Sequence, residues 1–389
     1  MYEGVNMASS QRGAIFAAKS GVEKGILEFM KQALSQGCFD AVLIPARVPA
    51  GDSFAYFLIR NGALLEGASP LPPIMPVQGA KAISSITKRG KGNKRIAAVL
   101  RPCEARATIE LAKLGQADLE NVVLVTVDCP GALPLSKYFE SAEKGDELFG
   151  DASQDWNSEP MRPVCKVCDR FSTTGAEDLH IATLGARGEG ILIIPRSPKG
   201  ESILNKLGTP PVEDISSWED QVNKLTGERK EARNKFHSAL RTDIEGTDGL
   251  LEVFSTCINC HNCMRVCPIC YCRQCHFDSD KMKFTFEDYL TRAGARGELR
   301  LPADMLLFHV GRMLHMSLSC VSCGMCEDAC PMNIPVAQIF SLVGDRNQEA
   351  FDYVSGRSID EALPLTTFEE EEFQEVEQSY AGTSARQED

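Results

Sequence analysis

The sequence predicts an α/β domain with a wound, mostly parallel sheet at residues 1–235, followed by a helical ferredoxin-like domain at residues 236–345. Three observations support this fold class. Short apolar segments alternate with helical segments in the first part. Two cysteine runs with ferredoxin spacing follow. A long segment of helical pattern separates the two runs, which a compact bacterial ferredoxin would not contain. The remaining residues, 346–389, are predicted to form an acidic C-terminal extension, with four consecutive glutamates from Glu369 to Glu372.

The elements of the first domain follow from its apolar pattern. Helical periodicity covers residues 21–36 and 104–114, and these helices alternate with apolar strand-like segments, which implies parallel pairing. A charged stretch at 218–240 is typical of a linker helix or lid, because it lacks an apolar run long enough for a core element. The predicted strands cover residues 41–45, 95–100, 121–127 and 190–194.

Eight cysteines form two runs that favour 4Fe–4S clusters. The runs are Cys257-x2-Cys260-x2-Cys263-x3-Cys267-Pro268 and Cys320-x2-Cys323-x2-Cys326-x3-Cys330-Pro331. In this spacing three thiolates hold one cubane and the fourth ligates the other cluster. Zinc ribbons use pairs of CxxC rather than triplets closed by Cys-Pro. We therefore expect one cluster on Cys257, Cys260, Cys263 and Cys330, and a second on Cys320, Cys323, Cys326 and Cys267. Within the insert between the runs, helices are predicted around residues 284–291 and 305–316.

The bulk properties restrict the function further. A net charge of −13 argues against nucleic-acid binding as the main role. No secretory signal begins the sequence, and no apolar run approaches the roughly 18 residues of a membrane span. Sixteen cysteines without an export signal indicate reduced thiols that serve as metal ligands, and hence a cytoplasmic protein.

Four cysteines of the first domain could hold a third cluster. Cys103 directly follows one predicted strand and Cys129 follows the next, so both thiols should meet at the carboxyl edge of the sheet. Cys165 and Cys168 form a CxxC pair in a loop that could close over this edge. On spacing alone the alternative stays open that Cys103 and Cys129 are small buried hydrophobes and that the CxxC is a redox or zinc pair.

Residues 10–235 resemble the flavin-bearing beta subunits of coenzyme F-420-reducing hydrogenases and dehydrogenases. The resemblance rests on the segment ALSQGCFDAVLIPA, the RPCEA turn, the DCPGA turn and CKVCDRF followed by EDLHIATLGARGEG, in that order. It implies that Cys103, Cys129, Cys165 and Cys168 ligate a 4Fe–4S cluster. It also implies an FAD site whose loop corresponds to Ser20, Gly21, Val22 and Lys24.

Together with the fused ferredoxin domain, the resemblance implies a formate dehydrogenase subunit. Such a subunit exchanges hydride between F-420 and FAD and relays single electrons to or from a catalytic alpha subunit. A larger electron-bifurcating complex of the heterodisulfide reductase type is a further expected partner. Because F-420 carries hydride and clusters carry single electrons, a flavin must lie between them. Two alternatives are a hydrogenase-linked or quinone-linked F-420 oxidoreductase subunit and a wiring subunit without a substrate site.

Two weaker signals remain. The basic segment TKRGKGNKR, which includes Lys88, Arg89 and Lys91, is either a solvated loop or an attractant for the anionic tail of F-420 or the FAD pyrophosphate. Three extra thiols, those of Cys270, Cys272 and Cys275, either line the first cluster or hold a fourth metal with His261 or His276. Cys38 is predicted to lie in the core, and His309 and His315 are predicted to be packed histidines.

Overall fold

The computed structural model describes residues 13–18, 21–186 and 190–367. An eight-stranded sheet forms the first part of the chain and helices form the second. The strands are β1 Gly13–Ala17, β2 Ala41–Arg47, β3 Phe54–Ile59, β4 Ile96–Leu100, β5 Val122–Val127, β6 Leu179–Ala182, β7 Gly190–Pro195 and β8 Pro211–Val212. The helices are α1 Val22–Ser35, α2 Gly79–Thr87, α3 Pro102–Lys113, α4 Leu135–Glu140, α5 Ala142–Gln154, α6 Pro163–Lys166, α7 Pro198–Leu207, α8 Ser216–Asp243, α9 Gly246–Val253, α10 Asn262–Val266, α11 Phe286–Arg296, α12 Met305–Met316, α13 Met325–Asp328 and α14 Val336–Ala350.

The sheet is mixed rather than mostly parallel, so this part of the predicted fold is wrong. Its strand order is β3-β2-β4-β5-β6-β7-β1-β8. Only the pairs β2–β4, β4–β5 and β5–β6 are parallel, while the remaining four are antiparallel. The sequence pattern revealed the parallel centre because β4 and β5 are almost fully buried and therefore apolar throughout. It missed β1, β3, β6 and β8, which are short or partly exposed.

The direction of the strands determines where functional groups can meet. β2, β4, β5 and β6 all end at the same edge of the sheet, because they pair in parallel. β1 ends there too, since it is antiparallel to β7, which is itself antiparallel to β6. We call this the carboxyl edge. Helix α1 covers the sheet from one face through Ile26, Phe29 and Met30, all of which are buried in the larger core.

Helix α8 connects the sheet to the helical part. It is 28 residues long and its buried positions include Arg229, Arg233 and His237. Arg233 forms an ion pair with Asp345 of α14, with Nε 2.6 Å from Oδ2, and this fixes α8 to the helical part. The predicted boundaries at 235/236 and 345/346 fall inside α8 and α14, so neither coincides with a break between elements.

The helical part has its own core, centred on Phe254, Phe308, Ile339 and Phe340. The segment after α14 then returns to the sheet domain. There the amide of Gly356 donates to Glu110 Oε1 at 2.7 Å. A Cβ at position 356 would lie 2.4 Å from the Arg106 backbone, so only glycine fits this crossing. The predicted glutamate run at 369–372 lies outside the described residues.

No helix in the described ranges is both long enough and apolar enough to cross a membrane.

Candidate iron–sulfur and flavin sites

The first ferredoxin run and the last cysteine of the second run line one cavity. Cys257, Cys260, Cys263 and Cys330 surround an open space of about 310 Å³ beside His261 and His309. Cys330 is an electrostatic neighbour of both Cys257 and Cys263, which places the thiols close together. This is the ligand set that the crossed arrangement predicts.

The second cavity holds the complementary set. Cys267, Cys320, Cys323 and Cys326 line an open space of about 400 Å³. Cys267 is an electrostatic neighbour of the three thiols of the second run, although it belongs to the first run in sequence. Each cysteine run therefore contributes three thiols to one cavity and one thiol to the other.

The backbone repeats in the two runs. Asn259 and His261 flank Cys260 with φ of 55° and 60°, and Ser322 and Gly324 flank Cys323 with φ of 56° and 83°. Left-handed residues in such turns can direct consecutive amides towards an anion. The Asn259 amide donates to Cys257 Sγ at 3.4 Å. The turns thus supply donors to the sulfurs as well as the spacing between them.

A serine substitution can test the crossed arrangement. Cys330→Ser should alter the spectrum of the cluster built on Cys257, Cys260 and Cys263, because Cys330 lines that cavity. Electron paramagnetic resonance of the reduced protein should then match the Cys260→Ser variant. A spectrum that matches the Cys323→Ser variant instead would show that each run ligates its own cluster.

Burial disfavours deprotonation of these thiol groups. It raises the pKa of Cys263 and Cys320 to about 11 and that of Cys323 to about 12. Several buried thiolates side by side need a cationic partner, and iron ions supply it.

The surrounding protein also fits anionic clusters. Arg312 on α12 is buried, and its Nη1 donates to Cys263 Sγ at 3.1 Å. Two other buried arginines, Arg162 and Arg233, form ion pairs with Asp328 and Asp345. Among the described residues no carboxylate forms an ion pair with Arg312, and its Nε has no hydrogen-bond partner. A buried guanidinium that donates to a thiol and has no carboxylate partner fits a site whose sulfur ligands carry negative charge.

The sheet domain brings together the four cysteines of the predicted third site. β4 leads into α3, whose first turn carries Cys103, and β5 leads directly to Cys129. Cys103 is an electrostatic neighbour of Cys129 and Cys165. Cys165 is in turn an electrostatic neighbour of Cys129 and Cys168. Burial raises the pKa of Cys103 well above its usual value and that of Cys165 to about 11. The grouping at the carboxyl edge is as the sequence predicted, and the cluster itself stays a prediction.

Arg101 forms hydrogen bonds to the Cys129 turn of the third site. Its Nη1 donates to Cys129 Sγ at 2.9 Å and to the Gly131 carbonyl at 2.6 Å. Its guanidinium also bonds the Pro72 carbonyl. The backbone of the same residue caps α3, since its amide donates to Glu104 Oε2 at 3.0 Å. The arginine therefore fixes the thiol-bearing turns of β4 and β5 to each other.

The third site lies beside the second cavity. Cys103 packs with Cys323 in one small apolar cluster that also contains Ala107 and Val321. Arg162, which neighbours Cys165, donates to the Cys323 carbonyl at 3.1 Å. The three groups of cysteines therefore form a series: the sheet site, then the cavity of the second run, then the cavity of the first run.

A buried carboxylate that the sequence interpretation missed organises the carboxyl edge. Asp128 Oδ2 accepts from the Trp218 indole at 2.8 Å and from the amides of Thr183 and Leu184 at 2.8 and 3.0 Å. Its Oδ1 lies 3.0 Å from His180 Nε2. Burial opposes ionisation of Asp128, but His180 and the other donors lower its pKa. The signal was present in the sequence, because Asp128 immediately precedes Cys129 and Trp218 is one of two tryptophans.

A large open cavity at this edge lies next to the Asp128 network. It has a volume of about 900 Å³ and lies between the end of β6, the start of β7 and the first turn of α8. Ile15 of β1, Leu184, Trp218 and Gln221 are among its lining residues. We call it the edge cavity. Because Asp128 binds both Leu184 and Trp218, it connects the wall of this cavity to the Cys129 turn.

The predicted flavin loop begins at the same edge. Gly21 precedes α1 with φ of 89°, a backbone conformation that favours glycine. Lys24 is exposed and Val22 is half-buried in the first turn of α1, while Ser20 lies outside the described residues. Glu23 in this turn accepts a hydrogen bond from Ser69 at 2.8 Å, which fixes the start of α1 close to the end of β2.

The basic segment lies at the opposite edge of the sheet from Cys103. Lys88 and Arg89 follow α2 and are exposed. Lys91 pairs with Glu120 just before β5, at 2.5 Å, which places the segment where the parallel strands begin. The five residues of β4 separate this edge from Cys103 by about 15 Å.

The extra thiols next to the first run do not converge on one point. Cys270 Sγ lies 2.8 Å from Met316 Sδ, Cys275 Sγ lies 3.5 Å from Met264 Sδ, and Cys272 is exposed. Within the described parts of the chain, no group of three or more His, Cys, Asp or Glu side chains is arranged around a single metal ion. Cys38 is buried in the core of the sheet domain and His309 stacks on Phe254, both as predicted. The prediction that His315 is packed is wrong, because its side chain points to solvent on α12 and is exposed.

Comparisons with known proteins agree with this organisation. A family model described as a 4Fe-4S dicluster domain matches residues 228–334. The chain is 26% identical to the F420-dependent formate dehydrogenase subunit beta of Methanocaldococcus jannaschii, over 92% of this chain and 97% of that protein. It is 28% identical to the F420-dependent formate dehydrogenase 1 subunit beta of Methanococcus maripaludis, over 88% and 94%.

Among solved structures, a chain of the F420-reducing [NiFe] hydrogenase complex from Methanosarcina barkeri aligns with 61% of this chain and 94% of its own length. The identity is 14% and the TM-score 0.45. The long matches to the two formate dehydrogenase subunits, which are oxidoreductase subunits, and the dicluster domain lead to one assignment. The chain is a homologue of the beta subunits of F420-dependent formate dehydrogenases and carries a C-terminal 4Fe–4S dicluster domain.

Proposed function

We propose that this protein is the cytoplasmic electron-transfer subunit of a formate dehydrogenase that uses coenzyme F-420. The observation that carries the proposal is the series of three cysteine groups, in which Cys103 packs beside Cys323 and Cys267 joins the two ferredoxin cavities. The names of the two homologues support formate and F-420 as the reactants.

When bound, FAD supplies hydride exchange with F-420 and each cluster supplies one-electron transfer, so that formate, F-420 and one proton give CO₂ and reduced F-420 with two electrons exchanged. Formate oxidation itself would belong to a catalytic alpha subunit, which the names of the two homologous beta subunits imply as a partner. A heterodisulfide reductase-type complex as a further partner stays a prediction.

The edge cavity is our candidate for the FAD site. It lies between Ile15 of β1, the end of β6 and the first turn of α8, and Asp128 connects its wall to the Cys129 turn through bonds to Leu184 and Trp218. Apolar side chains such as Ile15 and Leu184 would cover the ring, while Gln221 and Asp214 could bind polar groups. Trp218 would hold the wall rigid through its bond to Asp128.

At the other end of the series, the first cavity opens towards the surface. Cys260 is exposed, and the neighbouring side chains of Ile258 and Met332 are 56% and 39% exposed. A redox partner could therefore approach this cluster closely, whereas the other two cysteine groups are more deeply covered. We propose that electrons are exchanged with the alpha subunit here.

Chemical analysis of the purified chain tests the proposal. Three clusters should give about 12 iron and 12 sulfide per chain, together with one FAD. A content of about eight iron atoms per chain would show that the sheet domain holds no cluster. A content of about 16 would require a fourth cluster at Cys270, Cys272 and Cys275.

Reductant preference is the second arm of this experiment. Reduced F-420, but not NADH, should reduce an artificial dye in the presence of the FAD-loaded chain. A full complement of iron without flavin, and without reduction by either carrier, would contradict the proposal and indicate a wiring subunit. The matched control is the same chain without FAD, which should not reduce the dye with reduced F-420.

A further inference from the structure

Arg312 is a buried cation that lies between the two ferredoxin cavities. It lies on α12 and is only 2% exposed. Its electrostatic neighbours include Cys263 of the first cavity and Cys267 and Cys326 of the second. One guanidinium is therefore shared by both expected ligand sets.

The guanidinium is fixed in orientation. Nη1 donates to Cys263 Sγ and Nη2 donates to the Cys263 carbonyl, both at 3.1 Å. Its carbon lies 4.7 Å from the ring centroid of Phe340 and 5.6 Å from that of Phe308. Bidentate binding and two aromatic rings leave little freedom for the fork to rotate. The hydrogen bond to Cys263 is thus a permanent feature of the first site.

The charge of Arg312 has no carboxylate partner in the described residues, in contrast to Arg162 and Arg233. A cluster becomes more negative when it is reduced, so a fixed cation and a hydrogen bond to a ligating sulfur both favour the reduced form. The direct hydrogen bond is to Cys263 alone, so the first cluster should be affected more than the second.

We propose that Arg312 sets the reduction potentials of the two ferredoxin clusters and raises that of the first cluster the more. The inference rests on the cluster ligation of the proposed function. Arg312 acts through the sulfur ligands and is a positioning residue that tunes them rather than a catalytic residue.

Potentiometric titration of the full chain, followed by electron paramagnetic resonance, tests this role. In Arg312→Met the reduction equilibrium of the first cluster should fall about tenfold, which is about 59 mV for one electron. The second cluster should shift in the same direction by less. Arg292→Met, which removes an exposed cation of α11, should change neither potential. The signals are assigned with Cys260→Ser and Cys323→Ser.

Arg312→Lys covers the case in which the methionine variant loses a cluster. Lysine keeps the positive charge but cannot form the two parallel hydrogen bonds of the guanidinium. The reduction potential of the first cluster should therefore fall by less than in Arg312→Met, while the iron content stays at the wild-type value. Unchanged potentials in a variant that retains its clusters would overturn the inference and leave the proposed function intact. Wild-type protein without ferredoxin clusters would overturn the proposed function itself.

Discussion

Replacing Cys165 with serine or alanine is expected to remove four iron atoms per chain and nearly all formate-dependent reduction of F-420. Cys165 lies between Cys129 and Cys168 in the sheet-domain group, so its loss leaves too few thiols for a cubane. Iron analysis and steady-state activity with the alpha subunit measure the two effects. The ferredoxin signals should persist, because their ligands line separate cavities.

FAD should remain bound in the Cys165 variants, since Cys165 does not line the edge cavity. Reduced F-420 should then still reduce the flavin, while the ferredoxin clusters stay oxidised in rapid-mixing experiments. The matched control is Cys38→Ala, which removes a buried cysteine of the core and should keep its iron. Unchanged iron in both Cys165 variants would show that this residue is not a ligand.

The parallel centre of the sheet could be predicted from sequence because its physical signal is local. β5 is buried along its whole length and is therefore a continuous apolar run. β3 lies at the edge of the sheet and is buried only at its first and last residues, and β8 has only two residues. Such strands are defined by their partners rather than by their own composition, so the antiparallel additions were not visible.

For the cysteine groups too, the sequence predicts local features but not the contacts that depend on packing. Spacing predicted which thiols belong together, because four iron–sulfur bonds restrict the loops between them. The adjacency of Cys103 and Cys323 was not predictable, since it depends on how α3 packs against the loop of the second run. The position of the basic segment was not predictable for a related reason: a sequence does not show which edge of the sheet a loop occupies until strand directions are known.

Several buried polar residues near the cysteine groups could not be predicted from the spacing of the cysteines. Arg101 and Arg312 each donate to a cysteine sulfur, and Asp128, which precedes Cys129, accepts from the amide of Thr183. Their functional meaning appears only when the fold removes them from water, because a buried charge requires a partner. The candidate ligands could therefore be proposed from the sequence, whereas the groups that bind and orient them became visible only in the structure.

Asp128→Ala should strongly destabilise the sheet domain. It would leave the Trp218 indole, the His180 ring and the amides of Thr183 and Leu184 buried without their acceptor. The expected loss in free energy of unfolding is about 3–5 kcal/mol, because each orphaned buried donor costs about 1–3 kcal/mol and the site relaxes only in part. Thermal denaturation of the loaded chain measures it.

The same variant should lose FAD more readily than iron from the ferredoxin clusters. Asp128 holds Leu184 and Trp218, which line the edge cavity, whereas the ferredoxin cavities lie on other elements. Asp128→Asn is the conservative variant: its amide oxygen can still accept from the amides of Thr183 and Leu184, so it should be less destabilised and keep more flavin. Asp155→Asn, an exposed carboxylate after α5, should change neither property. If Asp128→Ala binds FAD with wild-type affinity while losing stability, the flavin lies elsewhere and the edge cavity has another occupant.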